Sequence, residues 1–140
     1  MYQKITIVGN LGKDPEMRYA PNGDAVTSLS VAANRKYTDK SGQLVKETTW
    51  FRVSVWRKDA ENCNQYLKKG GLVLIEGRLT PDKDTGGPRL YTKSDGSPGA
   101  SFEVTADPGG VRFLSGNQNG ESGNTHSHDQ VEEEGNGISF

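Results

Sequence analysis

Cysteine is almost absent from this chain: Cys63 is the only one among 140 residues. A lone thiol excludes an internal disulfide framework and a cysteine-based zinc site. Histidine is nearly as scarce. His126 and His128 lie in a polar stretch with no fixed partners and read as solvated side chains, so no metal site is expected. The longest uninterrupted apolar run, Leu72 to Ile75, is far below the roughly 20 residues of a membrane helix, so no membrane association is expected. The N-terminus, Met-Tyr-Gln-Lys-Ile, lacks the basic, apolar, small-residue order of a secretory signal, which points to a cytoplasmic protein. No nucleophile–base pair, metal cluster or phosphate-cradling loop is present, which argues against an enzyme. Hydrophobic residues make up only 31%, low for a chain packed from end to end, so part of it is expected to be disordered.

The charge is unevenly placed. Residues 1–114 carry all 17 lysines and arginines against 13 carboxylates, a net of +4, while residues 115–140 carry five carboxylates and no lysine or arginine. A mildly basic body with an acidic tail suggests a nucleic-acid partner for the body and separate work for the tail.

Strand-like alternation recurs along the body. Lys4 to Val8 alternates and ends in Gly9-Asn10-Leu11-Gly12. That tetrad resembles the GXXG loop of a KH domain, but it follows a strand and reads as a bend or bulge. After the turn signal Pro21-Asn22-Gly23, a second strand runs from Thr27 to Ala33, and a third from Glu47 to Arg57. Asp59 is placed to cap a short helix reaching about Lys69, with Ala60, Cys63 and Leu67 on one apolar face and Gly70-Gly71 as its stop. On that face Cys63 reads as an inert core thiol. Leu72 to Leu79 is a fourth strand. Residues 80–100 read as a long hairpin loop containing Tyr91. Ser101 to Thr105 and Val111 to Leu114 supply a fifth strand broken by Asp-Pro-Gly-Gly. Five strands with one helix between the third and fourth is the layout of an all-β OB-fold, a five-stranded Greek-key barrel with an oligonucleotide-binding face.

The third strand contains the most informative segment, Thr-Thr-Trp-Phe-Arg-Val-Ser-Val-Trp-Arg-Lys at 48–58. Successive strand side chains point to opposite faces, so Phe51, Val53 and Val55 form an apolar row while Trp50, Arg52, Ser54 and Trp56 form the other. Aromatic surface mixed with charge makes a poor core and a plausible binding face. Exposed or interface tryptophan of an ordinary β-protein is the plainer alternative. Phe51, Phe102 and Phe113 read as packing residues.

Two longer runs carry a family likeness. Val-Gly-Asn-Leu-Gly-Lys-Asp-Pro-Glu-Met-Arg-Tyr-Ala-Pro-Asn-Gly-Asp-Ala-Val, residues 8–26, resembles the N-terminal signature of the bacterial single-stranded-DNA-binding proteins. Residues 50–79, from Trp50-Phe51-Arg52 through Lys68-Lys69-Gly70-Gly71 to Arg78-Leu79, resemble the strand–helix–strand segment of the same family. The likeness covers about 1–114 and implies an OB-fold, a homotetramer, nucleoid association in the cytoplasm, and sequence-tolerant binding of single-stranded DNA in replication, recombination and repair. It brings neither a catalytic residue nor a cofactor. It also implies stacking positions at Trp50, Trp56 and Tyr37. The chain departs from the family after the fourth strand, where Pro81-Asp82-Lys83-Asp84 stands in place of a further aromatic; Tyr91 either replaces that platform or the chain has one fewer. For phosphates, Arg52 shares the tryptophan face, and Arg18, Arg35, Lys36, Arg57 and Lys58 flank it in sequence or motif. Lys4, Lys13, Lys68, Lys69 and Arg78 are further candidates, with an ordinary solvated face as the alternative; Arg89 and Lys93 depend on where the long loop lies.

Residues 115–140 read as a disordered acidic tail behind a 1–114 binding domain. It closes on Glu132-Glu133-Glu134-Gly-Asn-Gly and then Ile138, Ser139 and Phe140. By resemblance this tip docks on replication and repair enzymes, an aromatic anchor and acids suiting a basic pocket. Ser139 stands where the family usually has proline, leaving more entropy to lose on docking. The tail's charge also suits competition with DNA for the body's groove at low salt. An OB-fold replication-restart factor or an RNA-binding OB protein, sharing the body without the recruiting tip, is the rival reading.

Overall fold

The computed structural model describes residues 1–114, so the tail and its tip residues Ile138, Ser139 and Phe140 lie outside the described residues. Seven strands and one helix follow in the order β1 (Ile5–Leu11), β2 (Glu16–Tyr19), β3 (Ala25–Thr38), β4 (Leu44–Trp56), α1 (Arg57–Tyr66), β5 (Leu72–Leu79), β6 (Arg89–Thr92) and β7 (Pro98–Phe113). Five of the strands make a barrel. β1, β5, β7, β4 and β3 are hydrogen-bonded in that order, and pairing of Asn10 with Ala32 and Leu11 with Val31 closes β3 back onto β1. The short β2 and β6 are added outside this ring, on β3 and β7.

Alternation drives the closure. Ile7, Leu29, Val31, Val53, Val55, Val73, Ile75 and Val104 all point inward and form one buried cluster. Burying each such side chain contributes roughly 1.5–3 kcal/mol. Ala60, Cys63 and Leu67 from the helical segment are also buried, and the Thr27 hydroxyl donates to the Ala60 carbonyl at 2.7 Å. That bond satisfies a buried polar group while tying α1 to β3.

Four local expectations need correction. Asp59 does not cap α1: the helix begins at Trp56–Arg57 without a side-chain cap, and the Asp59 carboxylate accepts instead from the Gly109 amide at 2.8 Å. The helix ends at Tyr66 rather than near Lys69, because Leu67 turns extended to bury its side chain. β7 is continuous through Asp-Pro-Gly-Gly: Asp107 to Gly110 stand opposite Glu76 between the pairs Ile75–Val111 and Gly77–Ala106, a bulge that absorbs the breaker residues. Finally, β6 forms inside the segment read as loop, pairing Arg89 to Thr92 with Pro98 to Ser101.

Three turns share one design. Ala20–Asp24, Asp39–Gln43 and Lys93–Ser97 each close with an amide of the first residue donating to the carbonyl of the fifth at 2.8–2.9 Å. The fourth residue is always glycine at φ of 88–92°, a left-handed backbone that other residues adopt at a cost. The second and third turns carry β3–β4 and β6–β7, two hairpins.

Candidate nucleic-acid interface

On β4 the two rows separate as the pattern requires. Val53 and Val55 are buried, whereas Trp50 is 53% exposed, Trp56 39% exposed, and Arg52 lies open between them. The neighbouring strands set what surrounds each. Trp50 is paired with Ala32, which also faces Asn10; Arg52 lies between Ser30 and Glu103; Ser54 lies between Ser28 and Thr105. Trp56 is paired with Val26, and Val26 with Arg18, which brings Arg18 into the row of the second tryptophan. The residues between the rings are therefore mostly small, which leaves the aromatic surfaces standing over a low floor. Six residues of strand separate the two tryptophans, about 20 Å at strand rise.

Tyr91 joins this face from β6. Arg52 is paired with Glu103, alternation puts Ser101 and Gly99 on Glu103's side, and Tyr91 is paired with Gly99. Tyr91 is 44% exposed and lines one open groove of about 470 Å³ together with Trp50, Arg52, Lys13, Ser30 and Thr48. The polar lining by Ser28, Ser30, Thr48 and Ser101 was not singled out from the sequence; pairing the alternations of 27–33 and 47–57 was the signal that could have found it.

Tyr37 is placed differently. It follows Leu29, Val31, Ala33 and Arg35 in alternation, on the opposite row of β3 from Ala32, Trp50's partner. It is 37% exposed, and the Arg35 guanidinium lies over its ring at 4.9 Å from the centroid. Arg35 also pairs with Glu47 at 3.4 Å.

The candidate cations divide by their partners. Lys4 pairs with Glu76 at 2.7 Å, Lys13 with Glu16 at 3.4 Å, and Arg57 with Asp24 at 3.6 Å. Hydrogen bonding and proximity to Glu76 raise the Lys4 ammonium above its ordinary value and hold Glu76 below its own. Among the described residues, Arg18, Lys36, Arg52, Lys58, Lys68, Lys69 and Arg78 form no ion pair. Arg52 and Arg18 share the tryptophan rows, and Lys58 is the second residue of α1, next to Arg57. Arg78 is paired with Thr105, which is paired in turn with Ser54. Lys36 faces Lys46 on the β3–β4 hairpin. Lys68 and Lys69 follow α1, where the Lys69 amide donates to Asp14 at 2.8 Å. Arg89 pairs with Glu103 at 3.8 Å. Arg57 has φ of 63°, a left-handed backbone that costs a non-glycine residue of order 1–3 kcal/mol and turns the chain from β4 into α1.

Phe51 packs half-buried against the core and Phe102, ring centroids 6.0 Å apart. Phe102 and Phe113 are more exposed than packing residues should be; Phe113 keeps Tyr66 as a ring neighbour at 6.5 Å. Burial pushes the Cys63 thiol up to about 12, so at neutral pH it holds no nucleophilic thiolate. Among the described residues no helix is long and apolar enough to cross a membrane.

Comparison with known proteins matches residues 2–114 to the single-strand binding protein family. The chain is 39% identical over 120 residues to the single-stranded DNA-binding protein of Neisseria meningitidis serogroup A, a match covering 86% of this chain and 64% of that protein. It is also 39% identical over 132 residues to single-stranded DNA-binding protein 3 of Listeria innocua, covering 94% of this chain and 76% of that one. The chain thus spans 64% of the length of the Neisseria relative. Among solved structures, it is similar to the Plasmodium falciparum SSB in complex with ssDNA, at a TM-score of 0.66 and 25% identity over 82% of this chain and 96% of that one. It is also similar to a deletion mutant of the single-stranded DNA binding protein from Thermus aquaticus, at 0.61 and 32% identity, covering 81% and 50%.

Proposed function

Since the chain belongs to the single-strand binding protein family, we propose that its body coats single-stranded DNA without regard to base sequence, in replication, recombination and repair. The observation that carries this reading is the shared groove. Trp50 and Tyr91 present open ring surface on one sheet face, with Arg52 and Lys13 beside them. Every base has a π-face, so stacking on such rings contributes about 1–3 kcal/mol per base whatever the sequence. Cations beside the rings neutralise phosphates and release counterions, so affinity falls with salt.

In this reading Trp50, Trp56 and Tyr91 are the main platforms, and Tyr37 offers its one uncovered face. Arg52 and Arg18 contact the phosphates nearest the tryptophans, with Arg57 and Lys58 at the strand–helix turn and Lys13 at the groove wall. Lys4, Arg35, Lys36, Lys68, Lys69 and Arg78 supply the longer-range field. The activity is binding, with no bond made or broken. Four copies of the chain assemble as a homotetramer, and the tip Ile138, Ser139 and Phe140 recruits partner enzymes.

The test is a titration with long oligo-dT, followed by tryptophan fluorescence at low and high salt, against a matched duplex and a matched RNA. Quenching by single-stranded DNA alone, weakening with salt, is the expected result. Equal response to duplex, or tighter binding to RNA, overturns it. Removal of 138–140 is expected to spare DNA affinity and abolish pull-down of repair enzymes; pull-down that survives the truncation ends the tail reading. Sedimentation equilibrium checks the tetramer.

A further inference from the structure

Two glycines stand apart in what a side chain would meet there. At Gly9, Gly77 and Gly110 an added Cβ would run into main-chain atoms of a neighbouring strand or bulge, so glycine is needed for the barrel itself. Gly42 and Gly96 have left-handed backbones with open space around them. Gly12 and Gly99 have neither feature. An added Cβ at Gly12 would lie 2.6 Å from Cζ3 and 2.7 Å from Cη2 of Trp50. At Gly99 it would lie 2.8 Å from Cζ of Tyr91, and 3.1 Å from both Cε1 of that ring and Cε of the Lys93 side chain. Each is a backbone that accepts any residue, and at each the nearest obstacle is the outer part of an aromatic ring proposed to stack on DNA.

We propose that Gly12 and Gly99 are positioning residues, the seats on which Trp50 and Tyr91 lie to present their rings in the groove. This inference rests on the stacking reading above and deepens it. The physical case is steric. A ring crossing the site of a missing Cβ lies low on the sheet surface, and for Trp50 the cross-strand partner is the equally small Ala32. A methyl group at that site leaves the backbone undisturbed but displaces the ring, since the obstacle is the far end of a side chain and turns about its χ angles. The ring then leaves its seated orientation, and ordering it again on DNA opposes binding. Small residues at 12 and 99 thus act through the rings, not through the fold.

A double-mutant cycle on the full-length protein tests this, with oligo-dT affinity as readout. Gly12→Ala is expected to weaken binding about 5-fold when Trp50 is present, a fraction of the stacking contribution of one base. In a Trp50→Ala background the same change is expected to have no effect. Equal losses in both backgrounds, or no loss with Trp50 intact, would overturn the proposal. Trp50→Ala alone isolates the premise: if it leaves affinity unchanged, the stacking reading fails and the seat's role in binding fails with it. A readout without DNA follows the ring directly. With Trp56→Phe, Trp50 is the only tryptophan, and Gly12→Ala is expected to shift its emission at an unchanged melting temperature. Unchanged emission, or a collapsed melting transition, counts against a seat. The pair Gly99→Ala and Tyr91→Ala is expected to repeat the pattern with a smaller loss.

Discussion

The two hairpins, β3–β4 and β6–β7, are built alike and offer their tyrosines differently. Each ends in the same five-residue turn, with an aspartate taking amide and hydroxyl donors from a serine two residues away and a glycine at positive φ. Each holds one tyrosine close to its end. Tyr37 lies on the inner-row side of β3 with a guanidinium over one face. Tyr91 lies on the outer row, its ring crossing the bare backbone of Gly99, and shares a groove with Trp50. Residue type therefore does not decide which aromatic is offered to a base. Register parity and the size of the cross-strand neighbour decide it.

Trp50, on the β4 arm of the first hairpin, sets the scale. Trp50→Ala is expected to weaken oligo-dT binding by about 2–3 kcal/mol, the top of the range for one stacked base. Tyr91→Ala should follow at about 1–2 kcal/mol, since its ring is smaller but as open. If Tyr91→Ala is silent in the titration, the β6–β7 hairpin lies outside the DNA path and the contrast collapses. The turn glycines sharpen it further. Gly96→Ala and Gly42→Ala should each destabilise their turn by about 1–2 kcal/mol, but only Gly96→Ala should weaken DNA binding noticeably. Denaturant melts and titrations on the same two variants would separate these effects.

Tyr37→Ala is expected to lose less than about 1 kcal/mol, because one face is already taken. Arg35→Ala uncovers that face, so a subsequent Tyr37→Ala should then cost more than it does in the native protein. The smallest expected effect is on pH. Asp39 and Asp95 are held below the ordinary aspartate value of 3.8, first by the hydroxyls of Ser41 and Ser97. A depressed acid stabilises the fold above its unfolded value and loses that contribution as pH falls through its folded one. Both turns should therefore loosen together, only below pH 3.8, which amide exchange at the two loops would follow.

Much of this was open to reading along the chain. The alternation at 50–56 separated core from surface because Val53 and Val55 have no other way to leave water, and the two motif runs brought the barrel with them. The β6 strand was missed because Arg-Leu-Tyr-Thr is four exposed residues, stable only beside β7. Its signal was Ser94-Asp95-Gly96, the same turn grammar as Ser41-Gly42 and Pro21-Asn22-Gly23. Asp59 looked like a cap, but the bulge at Gly109 competes for its carboxylate.

The five barrel strands and their inward rows were legible along the chain, because they rest on local backbone preference and on side-chain period; β6 and the continuity of β7 were not, because they depend on a partner strand. Tertiary structure alone decided which rings share a face. Placing Tyr91 with Trp50, Tyr37 under Arg35, and glycines beneath two rings depends on the pairing of strands distant in sequence. A shift of one residue in that pairing would turn every one of those side chains to the other face.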